Sequence, residues 1–304
     1  MTARAVTAAE AASAGRAAPG PEGTSRRRLG RLALPLARIE GPRLVRHPAF
    51  LAGAALSVLI SALMVRDNMG GAYQALMGSG GIPLAAGTLL AVNFAALRSR
   101  RSDTEELYVP LPGPPAARTL AHLLSIGWAI SAAVILVAAG FLALDAGDGL
   151  RVSSDGGTAV PSAFELAQAP AAVGVLGALG LALARWVAHV AAGAVAVVGV
   201  VAGNLILTSW NLRGASAWFA PVVSTARPAP GSSWPCYSAS SDAACGRLLG
   251  FETAAAGWHL AYLAGVIVVL GGAALLRDGR RPAVIALAGV GLAVAGVAGT
   301  VQVP

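Results

Sequence analysis

The sequence contains no lysine and only two cysteines, and charged residues make up 12% of its 304 positions. An average soluble domain carries about 25% charged residues. Without lysine the chain cannot contain the phosphate-binding motif GxxxxGKS/T, and the motifs HExxH and GxSxG are absent as well. No metal-spaced group of Cys and His occurs, and the long apolar segments hold no paired carboxylates of the kind that relay protons. These absences argue against a membrane enzyme, and we expect no catalytic residue, metal or cofactor in this chain.

What the sequence has in abundance is apolar residues, at 56% of the chain with a mean hydropathy of +0.69. They form uninterrupted blocks, and several reach the ~20 residues that a membrane-spanning helix needs. The pattern predicts an all-α, polytopic integral membrane protein with about seven transmembrane helices. Residues 1–30 are predicted to be a disordered cytoplasmic tail, and residues 31–304 form the membrane domain. The predicted spans are 49–65, 82–97, 120–144, 166–184, 187–208, 258–276 and 282–301, with an external loop at 209–257.

Arginine is distributed unevenly among the predicted loops. The intervening loops hold few arginines, and these are mixed with Asp and Glu. Alternate loops, beginning with the segment before the first span, hold Arg26, Arg27, Arg28, Arg31, Arg38, Arg43, Arg46, Arg98, Arg100, Arg101, Arg118, Arg185, Arg277, Arg280 and Arg281. This positive-inside pattern predicts a plasma-membrane protein with a cytoplasmic N-terminus and an external C-terminus. It also explains the net charge of +8 without a nucleic-acid partner.

Two apolar segments need a decision about their boundaries. Residues 166–208 would make one helix of about 64 Å, twice the ~30 Å hydrocarbon thickness, so we place a tight turn at Arg185–Trp186. Gly199 and Gly203 form a GxxxG pair that would permit close helix packing. In the external loop, residues 215–223 are apolar enough for a short re-entrant helix.

The segment before the first span has two open interpretations. Residues 32–47 hold apolar side chains between arginines, which favours an amphipathic helix on the inner membrane surface. Gly41-Pro42 in its middle favours a solvated linker instead.

Single polar residues within the apolar blocks give weak signals. His122, His189 and His259 lie near predicted helix ends, as interfacial side chains do. Asn93 and Asn204 are interpreted as helix-packing groups. Cys236 and Cys245 fall in the predicted external loop, where the oxidising environment favours a disulfide between them over two free thiols.

The most informative stretch is the polar loop between the second and third spans, residues 98–119. Asp103 can cap a short helix that ends before Pro110, with Glu106 completing a capping box. A stiff Pro-Gly-Pro turn follows, and Pro115 is well placed to open the next helix. The other predicted cytoplasmic turns are short and basic. We therefore interpret this loop as a docking element for a soluble partner, with a solvated connector as the alternative.

Segments 37–53, 104–125 and 257–281 resemble the permease subunits of type-2 ABC exporters, in particular the actinobacterial kind. Within the loop, Thr104, Glu105, Leu107, Leu111, Pro112 and Arg118 carry the resemblance. It implies a six-helix exporter core plus one further helix, and a loop that docks onto a separate ATPase. The residues implied in that coupling are Asp103, Thr104, Glu105, Glu106, Leu107, Tyr108 and Arg118. The interrupted surface helix and the seventh span depart from the family pattern.

The function expected from this resemblance is that of an ABC-transporter permease. The chain would form the translocation pathway in the lipid bilayer, either as a homodimer or with a paralogous permease. A cytoplasmic ABC ATPase would bind ATP and magnesium. The alternative is a non-transporting accessory or sensor protein that binds a cytosolic partner through the same loop.

Overall fold

The computed structural model describes residues 22–67, 75–76, 78–98, 115–147, 161–187, 189–207, 219–222, 253–279 and 282–302. Within these residues the chain is helical and has no β-strand. The α-helices are α1 (Glu22–Val45), α2 (Pro48–Asp67), α3 (Ile82–Ala96), α4 (Pro115–Ala146), α5 (Ala163–Leu166), α6 (Gln168–Trp186), α7 (Val190–Leu205), α8 (Thr253–Leu276) and α9 (Pro282–Val301). A 3-10 turn, Ser79–Gly81, precedes α3.

The predicted all-α, polytopic membrane architecture is confirmed. Five helices are long and apolar enough to cross a membrane: α2, α4, the combined segment Ala163–Trp186, α8 and α9. Helices α3 and α7 are apolar but shorter. At 1.5 Å per residue, the 15 residues of α3 extend about 22 Å. Together these make the seven apolar helices that the composition predicts.

The long apolar segment 166–208 divides where its only arginine lies. Helix α6 ends at Trp186 and α7 begins at Val190. No glycine or proline terminates α6. Instead, the Nδ1 atom of His189 accepts a hydrogen bond from the backbone N–H of Ala191 at 3.1 Å, which caps α7.

Helix α1 is continuous through Gly41 and Pro42, so the predicted interruption does not occur. It also begins at Glu22, within the segment predicted as a disordered tail. Gly41 has a packing role, because a Cβ atom built there would lie 2.1 Å from Cδ1 of Trp128 in α4. Ala33 and Ala37 pack against Ala121 on the same pair of helices. Small side chains thus bring α1 onto α4.

Helix α6 is the centre of the bundle, because it contacts α3, α4, α7 and α8. Val173, Ala178 and Leu181 are fully buried on α6, and they belong to the main apolar core with Leu89 of α3. Helix α2 packs on α3, and α9 packs on α8. The core therefore runs from α2 through α3, α6 and α8 to α9, with α4 against one side of α6.

Glycines bring the backbones of neighbouring helices into direct contact. A Cβ atom at Gly180 would lie 2.4 Å from the carbonyl oxygen of Leu89, and one at Gly53 would lie 2.6 Å from that of Pro83. The predicted Gly199–Gly203 packing site is not used in this way. A Cβ atom at either position would meet nothing within 4 Å, since these glycines face away from the neighbouring helices.

The outer surface of the bundle is apolar. Ile135 and Leu142 on α4, Val195 and Val198 on α7, and Leu292 on α9 each leave more than 60% of their surface exposed. A soluble monomer does not expose apolar surface so extensively, whereas lipid tails cover it without cost. The exposed faces agree with a membrane-spanning protein.

Candidate functional site

The candidate site lies at the end of the bundle where α3, α6 and α8 finish and where α4, α7 and α9 begin. We call it the arginine-rich end, because Arg98, Arg118, Arg185 and Arg277 all occur at these helix ends. The predicted docking loop connects α3 to α4 and therefore leaves and re-enters the bundle here. Arg98 and Arg118 flank its undescribed part.

Asp278 holds three parts of the chain together at this end. It lies in the turn between α8 and α9, and its side chain is only 3% exposed. Its Oδ1 atom forms an ion pair with the guanidinium of Arg185 at the end of α6. Its Oδ2 atom accepts a hydrogen bond of 2.5 Å from the hydroxyl of Thr119 in α4. The Asp278 carboxylate thus joins α4, α6 and the α8–α9 turn.

The electrostatic surroundings favour this arrangement. The cation of Arg185 at the C-terminal end of α6 complements the helix dipole. Because the carboxylate is buried, removing Arg185 would leave an uncompensated charge, which costs about 3–5 kcal/mol in buried pairs generally. Gly279 has φ of +145°, a conformation that favours glycine, and it turns the chain directly after Asp278.

Two further contacts strengthen the junction between α6 and α8. The indole Nε1 of Trp186 donates a hydrogen bond to the carbonyl oxygen of Ala273 at 2.9 Å. The guanidinium of Arg277 lies over the Trp186 ring, 6.0 Å from its centroid. These contacts and the Arg185–Asp278 pair tie the last turn of α6 to the last turns of α8.

A second polar group joins α1 to the end of α3. Glu40 forms an ion pair with Arg43 at 3.0 Å and a longer one with Arg98 at 3.9 Å. Both arginine side chains are more than half exposed, so each pair contributes little stability. Nearby, the His47 ring lies 5.8 Å from the Phe94 ring, and Nδ1 of His47 accepts the N–H of Ala49 at 3.2 Å.

Burial lowers the pKa of His47 below its ordinary value, and the positive charge of Arg98 lowers it further. The neutral imidazole is the form that can accept the Ala49 N–H. His47 therefore caps the start of α2 only while its Nδ1 atom carries no proton.

The opposite end of the bundle contains a separate set of buried polar contacts. His259 is fully buried between helices near the start of α8, with Nδ1 3.0 Å from Oε1 of Gln302. The side-chain amide of Gln168 donates to the carbonyl oxygens of Phe164 and Ala256. Short polar bonds of this kind join the starts of α6 and α8 to the end of α9.

Part of the apolar segment predicted as a re-entrant helix packs at that same end. Only 219–222 of it lie among the described residues, and they form a bend without an α-helix. Ala220 and Val222 are buried. The Oδ1 atom of Asn204 accepts the N–H of Val222 at 3.1 Å, and the hydroxyl of Tyr262 donates to the Phe219 carbonyl at 3.2 Å. Asn204 therefore binds a connecting segment, whereas Asn93 joins two helices by donating to the carbonyl oxygen of Gly180 at 3.2 Å.

The structure places only one of the predicted coupling residues. Arg118 is half-buried in the first turn of α4, one residue before Thr119. The other six, Asp103, Thr104, Glu105, Glu106, Leu107 and Tyr108, lie outside the described residues, as do Cys236 and Cys245. The docking helix and the disulfide stay predictions.

Sequence reasoning missed Thr119, Asp278 and the capping role of His189. One available signal was that Asp278 is the only acidic residue in the basic loop between the predicted spans 258–276 and 282–301. Another missed feature is the capping box at the start of α5. There Ser162 and Glu165 bond reciprocally, with the Ser162 N–H donating to Oε2 of Glu165 at 2.5 Å.

Comparison of the chain with protein-family models, with curated proteins and with solved structures gave no match.

Proposed function

We propose that this protein is the permease subunit of an ABC transporter, acting as an exporter with a separate cytoplasmic ATPase. The observation that carries the proposal is the polar loop between α3 and α4. It departs from the basic end of an apolar helix bundle, and its sequence predicts a capped acidic helix with a tyrosine, followed by a proline-rich stop.

The packing around the loop supports a mechanical role. Helix α4 begins at Pro115, within the C-terminal part of the predicted loop, and extends for 32 residues. It contacts α1 along one side and the central helix α6 along another. Displacement of the loop would therefore act on a long helix that is packed against the middle of the bundle. Such a helix can transmit a rigid-body movement.

In the proposed cycle, ATP binding draws two ATPase subunits together, and each displaces the docking loop of one permease. The helices then tilt between inward-facing and outward-facing states around a pathway that a second copy or a paralogous permease completes. ATP and magnesium bind in the ATPase. This chain supplies the pathway and the docking loop.

The test is a substitution in the docking helix. Glu105 and Tyr108 lie three residues apart, so they share one face of the predicted helix and would enter a groove on the ATPase together. We expect Glu105→Arg combined with Tyr108→Ala to leave the amount of protein in the membrane unchanged while abolishing co-purification of the ATPase. Loss of a charge-assisted hydrogen bond alone would weaken docking by about 1.5–3 kcal/mol.

Glu106→Gln is the matched control, since glutamine can still complete a capping box and should retain most of the docking. The measurement is pull-down of the ATPase by the full-length permease from detergent, together with the membrane level of each variant. Undiminished pull-down by the double variant would show that the loop is a solvated connector. Capture of a cytosolic protein other than an ATPase would favour the accessory or sensor function.

A further inference from the structure

Asp278 lies where the six-helix core expected from the resemblance ends and the additional helix α9 begins. Both of its carboxylate oxygens bind groups from other helices: Arg185 of α6 on one side and Thr119 of α4 on the other. Its side chain is 3% exposed, whereas the arginines of the Glu40 pairs are more than half exposed. Water does not screen a buried contact as it screens an exposed one, so Asp278 can hold the helix ends in one arrangement.

Helix α9 extends this connection to the opposite end of the bundle. It packs along α8 through close contacts, and a Cβ atom at Gly265 of α8 would lie 2.6 Å from the backbone nitrogen of Ala295. At the end of α9, Gln302 faces His259 of α8 across 3.0 Å, and both side chains are buried. The helices of the α8–α9 hairpin therefore pack closely against each other, with a polar contact at the far end, and the hairpin is anchored to α4 and α6 at its turn.

We propose that Asp278 is a positioning residue that makes α4, α6 and the α8–α9 hairpin move as one rigid body. Thr119 lies in α4 shortly after the docking loop, so the first helix that the loop displaces is the one bonded to Asp278. The contact transfers this displacement to α6 and to α9. The seventh membrane helix thereby has a mechanical role, which deepens the proposed function and rests on it.

The test measures distances in full-length protein reconstituted in lipid nanodiscs, without any ATPase. Spin labels are attached to two cysteine pairs in separate samples, with Cys236 and Cys245 replaced by serine throughout. Leu124→Cys with Ile285→Cys reports on α4 and α9 nearer the arginine-rich end, and Leu142→Cys with Val301→Cys reports nearer the opposite end. These leucines, isoleucine and valine are all more than 40% exposed, so labels fit without repacking.

We expect one narrow distance distribution for each pair in the parent protein. Asp278→Asn should broaden both distributions at least twofold, since α4 is then free to rock against the hairpin. The exchange of charges, Arg185→Asp with Asp278→Arg, should restore the ion pair to α6 but leave both α4–α9 distributions broad, because arginine at position 278 cannot accept the hydrogen bond from Thr119. Glu40→Gln, which removes only the exposed ion pairs, is the matched control and should change neither.

Thr119→Val is the milder variant, because it removes the hydrogen bond to α4 and leaves the ion pair intact. It should broaden both α4–α9 distributions while a third pair, between α6 and α9, stays narrow. If Asp278→Asn does not fold, Thr119→Val alone tests the positioning role of Asp278.

Unchanged distributions in Asp278→Asn and Thr119→Val would overturn the proposal. Broadening confined to the Leu124–Ile285 pair would also overturn it, because that result describes local fraying of the turn. Neither measurement depends on the ATPase. If the ATPase does not dock but Asp278→Asn broadens the distributions as expected, only the proposed function is refuted. If the ATPase docks but Asp278→Asn leaves the distributions unchanged, only the role of Asp278 is refuted.

Discussion

His47 and His189 occupy equivalent places in two helical connections at the arginine-rich end. Each precedes an apolar helix, and each uses Nδ1 to accept the backbone N–H two residues further on, Ala49 or Ala191. A neutral imidazole can therefore replace the Ser, Thr, Asp or Asn that usually caps a helix. Protonation removes the acceptor and places a positive charge at the positive end of the helix dipole.

This geometry predicts a pH dependence for His47. The pKa of His47 is lowered in the folded protein, so the unfolded chain binds the proton more readily. Stability should thus fall as the pH decreases through the ordinary range of histidine titration. We expect the melting temperature in detergent to decrease between about pH 8 and about pH 5.

The matched variant is His47→Asn, which keeps a capping side chain that does not titrate. It should show a smaller decrease in melting temperature than the parent protein over the same pH range. An equal decrease in both proteins would assign the pH dependence to other groups.

At the scale of whole elements, glycine positions determine how closely the helices approach. Gly180 and Gly199 are both interior helical glycines in apolar sequence, yet only Gly180 lies against a neighbouring backbone. The Leu89 carbonyl leaves no room for a methyl group at Gly180. The contact also places the Gly180 carbonyl within reach of Asn93.

We therefore expect opposite results from the same substitution at these two positions. Gly180→Ala should destabilise the protein by about 1–3 kcal/mol, because α3 and α6 must separate to admit the methyl group. Gly199→Ala should be neutral or stabilising by up to about 1 kcal/mol, since alanine favours a helix and meets nothing there. Denaturation of both variants in the same detergent measures the difference. A destabilised Gly199→Ala would indicate that another chain covers that face of α7.

At the scale of the whole molecule, the sequence predicts seven membrane crossings, an odd number. Such a topology would place the N-terminus and C-terminus on opposite sides, and the arginine distribution predicts that the N-terminus is cytoplasmic. Asp278 contacts Arg185 and Thr119, so three of the loops predicted to be cytoplasmic lie at the same end of the bundle.

Single-cysteine labelling in intact cells tests this orientation in a background without Cys236 and Cys245. A cysteine inserted after Val303 should react with an impermeant maleimide added outside the cells. One introduced at Arg277→Cys should react only after the membrane is permeabilised. Reaction of the first cysteine only after permeabilisation would mean that the number of crossings is even.

The sequence alone determined the helical membrane architecture and the approximate limits of the spans. A bilayer of fixed thickness demands about 20 apolar residues per helix, and a charged residue cannot lie at its centre without cost. Arg185 therefore indicated a break, and Pro115 favoured the start of a helix. These are local constraints, so they can be read from neighbouring residues.

Only the tertiary structure decided which residues meet. Thr119 and Asp278 are separated by 159 positions, and neither apolar periodicity nor charge counting pairs them. The same applies to Gly41, which lies beside Trp128 of α4 although 87 positions separate them. His259 is a further example, because only the packing shows that it is buried against Gln302 of α9, 43 positions away. Contacts of this kind depend on how the faces of several helices pack together, and that arrangement is a property of the whole fold.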